Sequence, residues 1–135
     1  MKMKRFENHV VVVTGAASGI GKACALRFAQ EGANVVCLDV SDDACEAVAA
    51  DCREKGVEAF NAHCDVTNPD EIESAVKRTL ERWRRLDVLV ASAGIYSGSP
   101  LPEVSLQQWQ RLIDINLTGV FLANRAVAPV LMQQE

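Results

Sequence analysis

A chain of 135 residues, 49% hydrophobic and 24% charged, has the length and apolar content of one folded domain. A net charge of −4 argues against the basic face that nucleic-acid binding displays, so no nucleic-acid partner is expected. Lys2, Lys4 and Arg5 precede a run of only four valines, too short for a signal peptide or a membrane span. A cytoplasmic location without a membrane partner is therefore expected.

The first element is a strand over 9–14, built on Val10-Val11-Val12-Val13. Thr14-Gly15-Ala16-Ala17-Ser18-Gly19-Ile20-Gly21 follows directly and opens into a helix over 19–31. Strand, glycine turn and helix together make a nucleotide-phosphate site. Glycine brings the backbone close to a ligand, and the helix start offers unpaired N–H groups to an anion. A second strand over 34–39 ends in Asp39. An acid about 20 residues beyond the glycines is placed to grip the ribose hydroxyls of a dinucleotide. The same carboxylate repels a ribose phosphate, and the neighbouring Ala17 and Val40 supply no cation to offset it. NAD rather than NADP is the expected cofactor.

A helix over 42–55 and a strand over 57–64 come next. Asn68-Pro69-Asp70-Glu71 supplies a cap, a proline at the first helical position and acids in the first turn. The helix it starts, over 69–84, carries the apolar stripe Ile72, Ala75, Val76, Leu80 and Trp83. A fourth strand over 86–91 leads into the turn-rich loop Tyr96–Pro102, where ligands sit in an open α/β sheet. The last helix, over 105–133, starts on the capping-box pair Ser105 and Gln108. Asn116 shares a stripe of that helix with Trp109, Ile113 and Val120, so its amide needs partners. Alternating strands and helices imply an α/β fold with a parallel sheet and right-handed crossovers.

The five cysteines, Cys24, Cys37, Cys45, Cys52 and Cys64, form no C-x-x-C pair and read as small buried hydrophobes. His9 and His63 stand alone, and no metal is expected.

Thr14 to Gly21 resembles the T-G-x-x-x-G-x-G signature of the short-chain dehydrogenase/reductase family. Asp65-Val66, Leu89-Val90-Ala91-Ser92-Ala93-Gly94 and Asn116-Leu117-Thr118-Gly119-Val120-Phe121 resemble later motifs of that family, in the right order. The resemblance implies a Rossmann-type doubly wound parallel sheet, truncated after the fourth strand and its following helix. Residues 1–135 would then be the N-terminal part of a single NAD-binding domain. The implied cofactor-binding residues are Gly15, Ala17, Ser18, Gly19, Ile20, Gly21, Asp39, Val40, Asp65, Val66, Ala91, Ser92, Ala93 and Gly94. Asp65 would contact the adenine, and the end of the fourth strand would line the adenine ribose and the nicotinamide side. Ser92 stands where the family writes asparagine, and its shorter hydroxyl does not span the same gap. Asn116 matches the helix asparagine that holds a water linked to a catalytic lysine. A distortion of the helix near Asn116 is expected for that role.

The family's chemistry uses a serine and a Y-x-x-x-K pair. Tyr96 is the only tyrosine here, and Pro100 stands four residues later. Tyr96 reads as a loop aromatic near the substrate entrance, with Ser97 and Leu101 beside it. The catalytic part is expected beyond residue 135. What the resemblance implies is an NAD-dependent oxidoreductase acting on a small alcohol or ketone, with the 135 residues carrying the cofactor half and showing little turnover alone. A non-catalytic NAD(H)-binding module and one half of a split enzyme are the alternatives. Family members pair the last helix between subunits, which implies a homodimer or homotetramer. The apolar edge of the fourth strand gives a free fragment a tendency to associate.

Overall fold

A computed structural model describes residues 4–134. Its elements alternate: β1 (Val10–Thr14), α1 (Gly19–Gln30), β2 (Asn34–Asp39), α2 (Asp42–Arg53), β3 (Ala59–His63), α3 (Pro69–Trp83) and β4 (Val88–Ala91). After a short 3-10 turn at Leu101–Glu103 come α4 (Leu106–Ile113), a π-helical turn (Asp114–Thr118) and α5 (Gly119–Gln133).

All described strands are parallel, in the order β3-β2-β1-β4. β1 is buried at every residue, as a central strand covered on both faces must be. That is why it reads as unbroken valine instead of an alternating pattern. The two faces of the sheet collect different helices. Val11, Val13, Val35 and Cys37 pack with Ala25 and Ala29 of α1 and with Cys45, Val48, Ala49 and Cys52 of α2. Val12, Val36, Leu38 and Phe60 pack with Ile72, Ala75 and Val76 of α3 and Val127 of α5. Helices on both faces make the sheet doubly wound, with Rossmann-type order over these four strands. Each fully buried aliphatic side chain in these layers contributes about 1.5–3 kcal/mol.

The local signals act where expected. Asn68 accepts from the Asp70 N–H at 3.1 Å, and Pro69 opens α3. Ser105 and Gln108 close a reciprocal capping box on α4. β3 and β4 are shorter than the runs 57–64 and 86–91. Leu86 and Asp87 join the closure of the sheet's lower end instead. The Leu86 backbone pairs with the Gln134 amide at 2.9 and 2.7 Å, and Asp87 accepts from Val10 N–H at 2.8 Å.

The expected continuous helix over 105–133 is interrupted by the π turn that contains Asn116. Leu106–Gln133 is, by length and composition alone, long and apolar enough to cross a bilayer. It lies along the domain, with Gly119, Ala123 and Val127 forming a buried i, i+4 stripe.

Candidate dinucleotide site

A cleft of ≈ 520 Å³ opens across the C-terminal ends of the strands. Gly15, Ser18, Gly19 and Ile20 form its floor, from the turn between β1 and α1. Gly15 has φ 66°, and a Cβ there would lie 2.7 Å from the Ala93 Cα. Only glycine lets the β1 end and the β4 end approach this closely. Gly21 serves differently. It is buried, and a Cβ on it would collide with the Gly15 carbonyl oxygen. The motif's last glycine therefore seats α1 against its own turn and does not line the cleft.

The start of α1 is left without a partner of its own. Ser18 makes no side-chain cap bond, and the first turn holds no acid. By contrast α3 has Asn68, Asp70 and Glu71, and α4 has its capping box. The first N–H groups of a helix have no intrahelical acceptor, and a Cβ on Gly19 would meet nothing within 4 Å, so the space beside this helix start is open. This is a cradle shaped for an anion.

Asp39 stands at the end of β2 and lines the cleft with Val40. Its carboxylate accepts from Ala17 N–H at 3.0 Å and from Ser41 N–H at 3.0 Å. Hence Asp39 fixes the glycine turn while facing the ligand space. Ser41, at the N-cap of α2, makes no side-chain cap bond. Ala17 contributes its amide to Asp39 and does not line the cleft.

The third wall is Cys64, Asp65 and Val66. Asp65 accepts from the Thr67 N–H at 2.9 Å and the Thr67 hydroxyl at 2.7 Å. Those bonds, with a smaller contribution from the Arg111 charge, hold its carboxyl below the usual range. Burial, with Glu71 and Asp65 nearby, pushes the Cys64 thiol up to about 12, so it stays a neutral wall group. Val66 explains the glycine of Asn116–Phe121. A Cβ on Gly119 would lie 2.6 Å from a Val66 methyl, so glycine allows the helix to close on this wall.

Ser92, Ala93, Gly94 and Ile95 complete the rim, while Ala91 ends β4 behind them. The Thr14 hydroxyl accepts from Ser92 N–H at 3.1 Å and Ala93 N–H at 3.2 Å. This joint between β1 and β4 uses backbone amides of the rim, so a serine at position 92 leaves it intact. Asn116 closes the rim from the helix side. Its Oδ1 accepts from Ile95 N–H at 2.8 Å, and its Nδ2 donates to the Ile95 carbonyl at 2.7 Å. The expected distortion is present, since Asn116 sits inside the π turn, a device found at functional sites. In the described residues the Asn116 amide makes one accepted and one donated bond, both to the Ile95 backbone, and no lysine lies among its partners.

Tyr96 is 89% exposed and does not line the cleft. Sequence reasoning missed Cys64, Ile95, Arg111 and Ile115, all of which do. Arg111 and Ile115 are one helical turn apart, a signal visible only once α4 is known to cross the cleft. The open helix start, the glycine floor and the two carboxylates fit the phosphate, ribose and base of a nicotinamide dinucleotide.

Over residues 9–135 the chain matches the family model described as short chain dehydrogenase. The chain belongs to the short-chain dehydrogenase family. Family members act on small molecules with a nicotinamide cofactor, and the fold and glycine turn agree with that membership. Among relatives of this family, the chain is 43% identical over 127 residues to a 3-oxoacyl-[acyl-carrier-protein] reductase of Synechocystis sp., covering 93% of this chain and 51% of the relative. It is 37% identical over 133 residues to the mitochondrial borneol dehydrogenase of Lavandula x intermedia, covering 96% and 49%. A solved structure of NAD+-bound xylitol dehydrogenase superposes with a TM-score of 0.91 at 37% identity, covering 97% of this chain and 51% of that one. The chain thus spans about half the length of these short-chain dehydrogenase relatives.

Proposed function

We propose that this chain is the cofactor-binding half of an NAD-dependent oxidoreductase that interconverts a small alcohol and a carbonyl compound. Asp39 carries the choice of NAD. It is anchored by two backbone amides at the mouth of the cleft, and Arg111 is the only cation lining that cleft among the described residues. Asp39 and Arg111 lie on different walls, so a ribose phosphate beside Asp39 would meet a fixed negative charge. The NAD+ in the related xylitol dehydrogenase structure supports the same reading.

Each wall then has a task. The free amides at the start of α1 hold the diphosphate, and Asp39 accepts from the ribose hydroxyls. Asp65 and Val66 take the adenine. Gly94 leaves room at the rim, and Asn116 fixes that rim by clamping Ile95. When bound, the nicotinamide supplies or accepts hydride at C4. Asn116 also has hydrogen-bonding capacity left beyond Ile95, which suits the water-holding role toward a catalytic lysine.

Proton transfer needs a positioned donor or acceptor, commonly worth about 10²–10⁴-fold in rate. The 135 residues hold no Y-x-x-x-K pair, so on their own they turn over little or nothing. We place those groups in the part of the relatives' length that this chain does not span. The half-exposed strand β4 and the exposed Trp109, Leu117 and Phe121 suit burial against further chain or a second subunit of a homodimer or homotetramer.

The same cleft would serve a second reading, a non-catalytic NAD(H)-binding module. Two experiments decide. Asp39→Arg should shift preference from NAD toward NADP in a binding titration, and unchanged preference defeats the NAD assignment. Reduction of NAD by an alcohol panel with the full-length protein should be measurable. Tight binding without any turnover there would favour the module.

A further inference from the structure

Arg111 is the one charged residue of the cleft with no ligand contact assigned above. It lies on α4, one turn before Ile115, and both side chains line the cleft. Its side chain makes no hydrogen bond or ion pair among the described residues. Arg78, Arg84 and Arg125 likewise have no carboxylate partner in the described residues, but among the arginines only Arg111 lines the dinucleotide cleft. Asp65 is close enough to feel the Arg111 charge. Yet Asp65 is tied to Thr67 by two hydrogen bonds and does not turn across to meet it. An exposed, unpaired guanidinium is thus left facing the end of the cleft where Asp65, Val66 and Ile115 stand. A flat group meets a flat group best, and guanidinium planes stack on aromatic rings.

We propose that Arg111 lays its guanidinium on the purine ring of the dinucleotide and closes the base end of the cleft. This inference rests on the dinucleotide reading above. Arg111 acts here as a binding and positioning residue with no part in hydride or proton transfer. Val66 and Ile115 give the base an apolar bed, Asp65 takes its amino group, and Arg111 covers it. The planar shape of the group does the work, so a lysine with the same charge is a poor replacement.

The test is calorimetric titration of NAD+ and of ADP into the full-length protein, its Arg111→Ala variant and its Arg111→Lys variant, at low and high salt. Arg111 is exposed, so both variants should fold, which circular dichroism confirms. Arg111→Ala should weaken NAD+ and ADP alike, by about fivefold, and most of the loss should persist at high salt. Arg111→Lys should recover less than half of it. Unchanged ADP affinity in Arg111→Ala would overturn the proposal while leaving the dinucleotide site standing. Full recovery by lysine, or a loss that vanishes in salt, would also overturn it and assign Arg111 to the phosphates. Failure of the unsubstituted protein to bind either ligand would overturn the dinucleotide reading itself.

Discussion

The two ends of the parallel sheet are finished in opposite ways. At the lower end the chain satisfies itself. Asp87 accepts from Val10 N–H and is gripped by Arg85 at 2.8 and 2.7 Å, Asn34 accepts from Glu58 N–H at 3.0 Å, and Gln134 pairs with Leu86. At the upper end, the start of α1 has neither cap nor acid, and Gly19 leaves open space beside it. Groups that a protein could have closed internally are left for a ligand. The lower end supports stability and the upper end supports binding, so changes at the two should separate in experiment.

The largest effect is expected at the upper end. Gly21→Ala drives a methyl into the Gly15 carbonyl and must displace the turn. Stability should fall by about 3 kcal/mol. Dinucleotide binding should be lost even in the molecules that remain folded, as a titration at low temperature would show.

Next in size is Asp87, at the lower end. Burial alone would raise its carboxyl, but Arg85 and Val10 N–H outweigh burial and hold it below the usual value. A depressed folded value means that its stabilisation is complete above about pH 4, the unfolded value, and is lost as pH falls through the folded one. Asp87→Asn should cost about 2 kcal/mol at neutral pH and remove that part of the acid dependence. Dinucleotide affinity should not change. A loss of affinity comparable to the loss of stability would erase the distinction between the two ends.

Ser18→Asp sharpens the contrast, because one charge should act in opposite directions. An acid at the open start of α1 should raise stability by about 0.5–1 kcal/mol. It should also weaken NAD+ about tenfold, by repelling the diphosphate. Both effects can be read from denaturant curves and calorimetry on one preparation. The smallest effect is expected for Asn68→Ala, at a helix start that is already closed. It should cost about 1 kcal/mol and leave binding unchanged.

Much of this was legible in the sequence because it depends on short-range chemistry. The valine run, the Asn68-Pro69 cap, the Ser105 box and the glycine turn each fix a local geometry. Asp39 was legible too, since strand length sets where it emerges. Its second duty, holding Ala17 and Ser41, was not, because that depends on how two turns meet. The resemblance implies Gly21 among the cofactor-binding residues, and the fold shows its packing against the Gly15 carbonyl. Spacing places a glycine but does not say which atoms it faces. Arg111 and Ile115 were invisible for another reason. They enter the cleft only because α4 crosses it, a fact settled by packing across the whole sheet. The shortening of β4 has a similar origin, since Leu86 and Asp87 are drawn into closing the sheet's lower end.

The central claim is that the open start of α1 and the anchored carboxylate of Asp39 together select NAD. Parallel calorimetric titrations of the folded protein with NAD+ and NADP+ test it most directly. Saturable heat with NAD+, and at least tenfold weaker binding of NADP+, is the predicted result. No heat with either dinucleotide, or tighter binding of NADP+, would contradict it.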